Sequence, residues 1–177
     1  MKNKILIVSD NHGIDNISSL KEQEACLYAF HSGDSQFPYV AETMKNFELK
    51  VKGNCDYDQT YPEADTLTIP NLGKTYITHG HLTGVKYSLN TLKKYCQKNQ
   101  INICIYGHTH VVDIQYQQEQ DLLIINPGSS TQSRSEYPQT YVVLTYDTEE
   151  YEVQIKNIKN NQELKKVKYL RNKVEKK

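Results

Sequence analysis

The chain has 177 residues, enough for one domain with a sizeable core, and its 21 Lys and Arg balance 21 Asp and Glu, so no overall charge marks it for nucleic acid or a membrane surface. No apolar run is long enough to span a bilayer, and no basic stretch precedes a signal-like apolar core. The four cysteines, Cys26, Cys55, Cys96 and Cys104, offer neither a CxxC pair nor zinc-ribbon spacing, so reduced thiols in a cytoplasmic protein are expected.

Residues 4–9 (KILIVS) form a short continuous apolar run rich in β-branched side chains, which predicts a strand buried on both faces. Asp10-Asn11-His12-Gly13 is the turn that ends it. Helix formers occupy residues 15–24, and a second apolar run over 25–31 ends at Ser32-Gly33-Asp34. Pro38 near its start, with Val40, Ala41, Met44 and Phe47 at helical spacing, predicts a short helix over 38–47. A strand over 48–52 then leads into Gly53-Asn54. Residues 66–70 and 74–78 straddle Asn71-Leu72-Gly73 and predict a hairpin whose second arm delivers His79.

Val85, Leu89, Leu92 and Cys96 mark one face of a helix over residues 85–98. A strand over 101–106 follows and leads to Gly107-His108-Thr109-His110. The pattern then changes to consecutive β segments near 111–117, 121–126, 140–146 and 150–156. An alternating first half and a mostly antiparallel second half predict an α/β fold of two packed sheets with helices outside. Residues 156–177 carry nine Lys or Arg against two Glu, leaving twelve basic and nineteen acidic residues before them. Residues 1–156 are therefore expected to form the domain and residues 157–177, including Arg171, Lys173, Lys176 and Lys177, a basic tail that is solvated or frayed. Its removal from residue 158 onward is expected to leave turnover of a small substrate intact.

Most of the His, Asp and Asn residues at turn-like places directly follow apolar runs, which is how a metal site at the carboxyl ends of strands is written. Asp10, His12, Asp34, Asn54, His79, His108 and His110 make seven ligands, too many for one ion that must also admit water and substrate. Two ions sharing Asp34 are expected. Histidine and carboxylate without thiolate suit Mn²⁺, Fe²⁺, Zn²⁺ or Ni²⁺. Strand-like alternation in His108-Thr109-His110 is expected to send the two imidazoles to different ions. His31 lies inside an apolar run and is expected to be a hydrogen-bonded core histidine.

The ordered series Asp10-x-His12, Gly33-Asp34, Gly53-Asn54, His79-x-His81 and Gly107-His108-x-His110 resembles that of the calcineurin-like metallophosphoesterase superfamily. With Cys55 after Asn54, and with Asn126-Pro127-Gly128-Ser129 after the last core strands, it is most similar to the small bacterial and archaeal phosphodiesterase branch. The resemblance implies a four-layer α/β/β/α sandwich of two mixed sheets flanked by helices. It places Asp10, His12 and His110 on one ion, Asn54, His79 and His108 on the other, and Asp34 between them, with Asp34, Asn54 and His79 at the centre of catalysis and Mn²⁺ preferred. It implies a phosphodiesterase that uses a two-metal-activated hydroxide on a small, nucleotide-like phosphoester. A phosphomonoesterase or dinucleoside-polyphosphate hydrolase is the alternative. A non-catalytic protein-binding scaffold, such as the retromer subunit of this fold with its degenerate metal centre, is a further one.

Much of the superfamily has His where this chain has Cys55, a weaker hydrogen-bond donor and a poor acid, so either good leaving groups are expected to be favoured or another donor to be recruited. Asn11, His81 and Arg134 are the candidate phosphate contacts, Asp56 a candidate to orient Asn54, and Tyr57, Tyr61 and Tyr87 candidates to flank the cleft. The expected partner is a small phosphoester. No membrane is expected, nucleic acid is expected only through the basic tail, and self-association stays open.

Overall fold

The computed structural model describes residues 2–172, so Lys173, Lys176 and Lys177 of the tail lie outside the described residues. A six-stranded sheet in the order β11-β10-β9-β1-β2-β3 faces a five-stranded sheet in the order β4-β5-β6-β8-β7. Asn3–Val8 is β1, Tyr28–His31 β2, Leu49–Lys50 β3, Ala64–Ile69 β4, Gly73–Thr78 β5 and Ile103–Ile105 β6. Val112–Gln117 is β7, Leu122–Pro127 β8, Thr140–Tyr146 β9, Glu150–Asn157 β10 and Glu163–Leu170 β11; the helices are Leu20–Gln23, α1, and Asn90–Lys98, α2. Both sheets are mixed: β1, β2 and β3 run parallel in one, and β5, β6 and β8 run parallel in the other.

The central strands are apolar on both faces because each serves two cores. Ile5 and Ile7 of β1 meet Ile77, Ile103, Ile105, Leu123 and Ile125 between the sheets. Leu6 and Val8, pointing the other way, pack with Ile17, Leu20, Met44 and Tyr141 on the outside of the six-stranded sheet. On the far side, Leu92 and Cys96 of α2 cover Cys104 and Ile124. Each such fully buried aliphatic side chain contributes about 1.5–3 kcal/mol. The expected four-layer order is present, with outer helical layers reduced to a single turn at α1 and nine residues at α2.

The helix expected over 38–47 shrinks to a 3-10 turn at Glu42–Met44. Its backbone groups have other partners: the Asp58 carboxylate takes the Tyr39 amide, and the Lys50 ammonium donates to the carbonyls of Tyr39 and Met44. Met44 and Phe47 are still buried. The helix expected from residue 85 begins only at Asn90, because residues 80–88 turn around Gly80 and Gly84, whose carbonyls accept from Val85 and Tyr87.

The expectation of a frayed C-terminal end is corrected. Residues 163–170 form β11, which pairs antiparallel with β10 along its length. Leu164, Val167 and Tyr169 pack on the central core. Lys166 and Lys168 are paired with Glu150, Glu152 and Glu163 within the sheet. At the end of β11, Arg171 donates to the buried Asp121 carboxylate at 2.8 Å and to the carbonyls of Asn71, Leu72 and Asp147. Its guanidinium lies 4.5 Å from the Tyr151 ring centre, and Tyr116 and Tyr151 donate to the same carboxylate.

Removing one partner of a buried ion pair strands the other, so Arg171→Ala is expected to cost about 3–5 kcal/mol in urea unfolding. The double change Arg171→Met with Asp121→Leu is expected to recover a large part of that loss. Truncation from residue 158 is expected to give insoluble or unfolded protein.

Candidate metal centre

Every candidate ligand follows the carboxyl end of a strand. β1 leads to Asp10 and His12, β2 to Asp34, β3 to Asn54, β5 to His79 and β6 to His108 and His110. These loops are tied to one another by backbone hydrogen bonds: Asp10 N donates to Gly33 O, His12 N to Asp34 O, and Gly107 N to His79 O. Ligand atoms of Asp10, His12, Asp34 and His110 all lie within 4.8 Å of one another. His79 Nε2 is 3.3 Å from Asp34 Oδ2 and 3.2 Å from Asn54 Oδ1, and the His108 ring centre is 5.0 Å from that of His79. The structure thus brings all seven expected ligands together, with Asp34 between a His12/His110 side and a His79/His108 side.

Five of the seven occupy left-handed backbone: φ is 55° at Asp10, 45° at His12, 55° at Asp34, 68° at His108 and 59° at His110. That conformation costs about 1–2 kcal/mol per residue and persists where surrounding contacts enforce it, often at functional sites. It also corrects the expectation for His108-Thr109-His110. The two rings do diverge, His108 towards His79 and His110 towards His12 at 5.1 Å, but a left-handed turn separates them; strand alternation would have put residues 108 and 110, two apart, on one face.

The glycines before the ligands have a steric reason. A Cβ on Gly53 would lie 2.0 Å from Asp34 Oδ1, and one on Gly107 would lie 2.2 Å from Ser9 Oγ and 2.8 Å from Asp10 Oδ2. The ligand loops touch where those side chains would be.

Imidazole orientation is set from behind. His79 Nδ1 donates to Ser32 O at 2.7 Å and His110 Nδ1 to Gln132 O at 2.8 Å, which leaves each Nε2 facing the cluster. His12 Nε2 lies 3.3 Å from His110 Nε2. Asp10 Oδ1 is fully buried, 3.1 Å from His110 Nε2 and 3.9 Å from the Nε2 atoms of His12 and His79, yet has no hydrogen-bond partner. A buried carboxylate oxygen without a donor, encircled by imidazole nitrogens, fits a divalent cation. The nitrogen and oxygen donor set suits Mn²⁺, Fe²⁺, Zn²⁺ or Ni²⁺.

Burial alone would push the Asp34 carboxyl up, but the His79 ring and the Cys55 amide, 2.7 Å from Oδ1, outweigh it and hold the group well below the usual carboxylate range. Burial and the neighbouring His79 push His108 down to about 4, favouring the neutral ring that a metal requires. The Cys55 thiol is pushed up to about 11 by burial and by the Asp34 charge, so it stays protonated.

A model of the calcineurin-like phosphoesterase superfamily domain matches residues 3–149. A probable metallophosphoesterase of Bacillus subtilis, YsnB, is 30% identical over 149 residues, 82% of this chain and 85% of that protein. The chain belongs to the calcineurin-like phosphoesterase superfamily. A conserved uncharacterised Streptococcus pneumoniae protein, described as a predicted phosphoesterase, superposes with a TM-score of 0.88 at 25% identity, covering 97% of this chain and 99% of its own. Vacuolar protein sorting 29 of Cryptosporidium parvum shares the fold, with a TM-score of 0.77 at 16% identity over 96% of this chain and 99% of its own.

The calcineurin-like phosphoesterases depend on divalent metals, and the cluster is where this chain would hold them. The remaining candidates divide. His81 stands beside the cluster, its ring centre 5.4 Å from His79 and 6.1 Å from His108. Arg134 is exposed, but its backbone N donates to His110 O, placing its loop at the His110 side. Asn11 is fully buried, its Oδ1 bonded to His31 Nε2 and its Nδ2 to Ile14 O, so its amide is structural and not a phosphate contact. His31 is the core histidine expected, fully buried against Phe47 and held neutral by burial, which pushes it down to about 4.

Tyr61 is buried with its hydroxyl on Phe37 O, whereas Tyr57 and Tyr87 are exposed. Asp56 does not orient Asn54. Its carboxylate accepts the amides of Asp34, Gln36 and Gly53 at 2.7–2.8 Å, clamping the Asp34 loop to the Asn54 loop. Ser129 and Thr131 donate to Asp10 O in the same way. Neither clamp carries a metal-ligand signature, so sequence reasoning named Asp56 in another role and assigned none to Ser129 and Thr131.

Gly53→Ala is expected to displace Asp34 and to weaken Mn²⁺ binding in calorimetric titration by at least about tenfold, or 1.4 kcal/mol, with the fold retained by circular dichroism. Asp56→Ala, which strands three amides, is expected to lower unfolding stability by about 2–4 kcal/mol.

Proposed function

We propose that the protein is a metal-dependent phosphodiesterase that hydrolyses a small phosphoester in the cytoplasm, with two divalent ions, Mn²⁺ preferred, held across Asp34. The single observation that carries this reading is the convergence of Asp10, His12, Asp34 and His110 about the unpartnered Asp10 oxygen, with His79, Asn54 and His108 beside them. Four cysteines free of disulfides agree with a reducing compartment, and among the described residues no helix is long and apolar enough to cross a membrane.

Divalent ions bound here would supply Lewis acidity towards the phosphoryl oxygens and a deprotonated water at neutral pH. The chain supplies the geometry. Asp10, His12 and His110 would hold one ion, and Asn54, His79 and His108 the other. Asp34, which lies between the two sides, would be shared by both ions. Ser32 O and Gln132 O keep two rings from rotating, so the donors need no reorganisation when charge develops on the phosphoryl group. In this reading His81, whose ring centre is 5.4 Å from that of His79 and 6.1 Å from that of His108, is the phosphate contact.

Cys55 gives the leaving oxygen only a weak hydrogen-bond donor, which favours esters of acidic alcohols and phenols over alkyl monoesters. A scaffold role has its support in the likeness to vacuolar protein sorting 29, which at 16% identity is a likeness of fold. The intact ligand set favours catalysis.

Chelator-stripped protein is expected to hydrolyse bis(4-nitrophenyl) phosphate only after Mn²⁺ is restored, and faster than 4-nitrophenyl phosphate. The reverse preference would make it a phosphomonoesterase, and turnover of neither ester with any divalent ion would favour the scaffold. Asp34→Asn is expected to lower the restored rate by at least about 10³-fold, around 4 kcal/mol, and to weaken both ions. Cys55→His is expected to accelerate esters with poor leaving groups most, read as a shallower dependence of rate on leaving-group acidity.

A further inference from the structure

The two carboxylates at the centre of the cluster each have unlike oxygens. At Asp34, Oδ1 accepts the Cys55 amide at 2.7 Å, while Oδ2 lies 3.3 Å from His79 Nε2. At Asp10, Oδ2 accepts the Ser9 hydroxyl at 2.5 Å and the His108 amide at 3.2 Å, while Oδ1 has no hydrogen-bond partner and lies 3.1 Å from His110 Nε2. The donor at Asp34 is main chain. The nearer donor at Asp10 is a side chain, one that the metal chemistry described above leaves without a role.

Ser9 follows β1 directly and is fully buried. Neighbouring hydroxyls donate to backbone carbonyls, Ser129 and Thr131 to Asp10 O and Thr140 to Pro127 O. Ser9 donates to a carboxylate instead, within the range of about 2.5–2.7 Å that such charge-assisted bonds adopt. The hydroxyl is held in place on two sides. A Cβ on Gly107 would come 2.2 Å from Ser9 Oγ, so only glycine there leaves it room, and the Ser9 carbonyl is fixed by the Ser130 amide.

With two donors on Oδ2 and none on Oδ1, the Asp10 carboxylate has one oxygen left to give. Turning it so that both oxygens reach a single ion would take the acceptor from the Ser9 hydroxyl and from the His108 amide, neither of which has a second one among the described residues. A buried donor stripped of its acceptor bears the full cost of its desolvation.

We infer that Ser9 is a positioning residue for the metal centre: its hydroxyl holds Asp10 Oδ2 back, so that Asp10 binds its ion through Oδ1 alone. The inference rests on the metal-dependent reading above and adds a residue to it. Its consequence is an open position. An ion chelated by both oxygens of Asp10 would have one place fewer for the water or phosphoryl oxygen that a catalytic metal must admit.

The test compares the full-length protein with Ser9→Ala, which removes the hydroxyl, and Thr131→Val, which removes a hydroxyl that reaches the same residue at its carbonyl and not at its carboxylate. Each is stripped with chelator, titrated with Mn²⁺ by calorimetry, and crystallised with Mn²⁺. Asp10 of the unaltered protein is expected to reach the ion through Oδ1 only. Ser9→Ala is expected to bind Mn²⁺ at least about tenfold more weakly, the lower end of what the loss of a ligand-orienting partner gives, with Asp10 no longer bound through Oδ1 alone. Thr131→Val is expected to match the unaltered protein in both respects.

Chelation by both Asp10 oxygens in the unaltered protein would overturn the assignment. So would a Ser9→Ala protein with undiminished affinity and Oδ1-only binding, or a Thr131→Val protein weakened as much as Ser9→Ala. Failure of the unaltered protein to bind Mn²⁺ would overturn this inference and the metal-dependent reading together. Mn²⁺ bound as expected would uphold the role of Ser9 even without ester turnover, and that result would count against the diesterase reading alone.

Discussion

A buried carboxylate oxygen with no hydrogen-bond donor is the constraint on which this structure turns. Asp10 Oδ1 is surrounded by imidazole nitrogens 3.1–3.9 Å away and is given no proton by any of them. Stranding a charged group in this way is costly unless a cation completes it. Neighbouring residues are organised around the same point: five candidate ligands in left-handed backbone, glycines where ligand loops touch, and Asp56 gathering three amides to hold the Asp34 loop. These are costs and reinforcements with one purpose, to keep like-charged and electron-rich groups close before any ion arrives.

The two sheets make that concentration of polar groups affordable. Parallel strands end together, so loops distant in sequence open at one edge, while the amino ends of β5, β6 and β8 lie at the other. There Arg171, Asp121, Tyr116 and Tyr151 form a second buried polar cluster, this one satisfied by its own members together with the carbonyls of Asn71, Leu72 and Asp147. The contrast is informative. The same fold closes one end with a paired charge and leaves the other with donors and acceptors still to be matched.

Strands and ligands were legible in the sequence because each has a local signature. Continuous apolar runs such as residues 4–9 mark strands buried on both faces, and a His or Asp directly after such a run has few structural reasons to be there. The helix over 38–47 was misjudged because its spacing is truly helical, yet Lys50 and Asp58, distant enough to escape a periodicity argument, take its backbone groups. The tail was misjudged by charge: its lysines hide the alternation of Leu164, Val167 and Tyr169 that makes β11 a strand. Asn11 looked like a phosphate contact because it sits between two ligands, but its side chain turns to His31. The clamps at Asp56, Ser129 and Thr131 depend on loops meeting in space, which no window of sequence displays.

The central claim is that seven side chains hold two ions across Asp34, and anomalous diffraction from crystals soaked in Mn²⁺ tests it most directly. The account predicts two peaks about 3.5–4 Å apart, one within ligand distance of Asp10, His12 and His110, the other of Asn54, His79 and His108, with Asp34 reaching both. A single peak that leaves His79 and His108 unligated, or peaks away from Asp10 altogether, would contradict it.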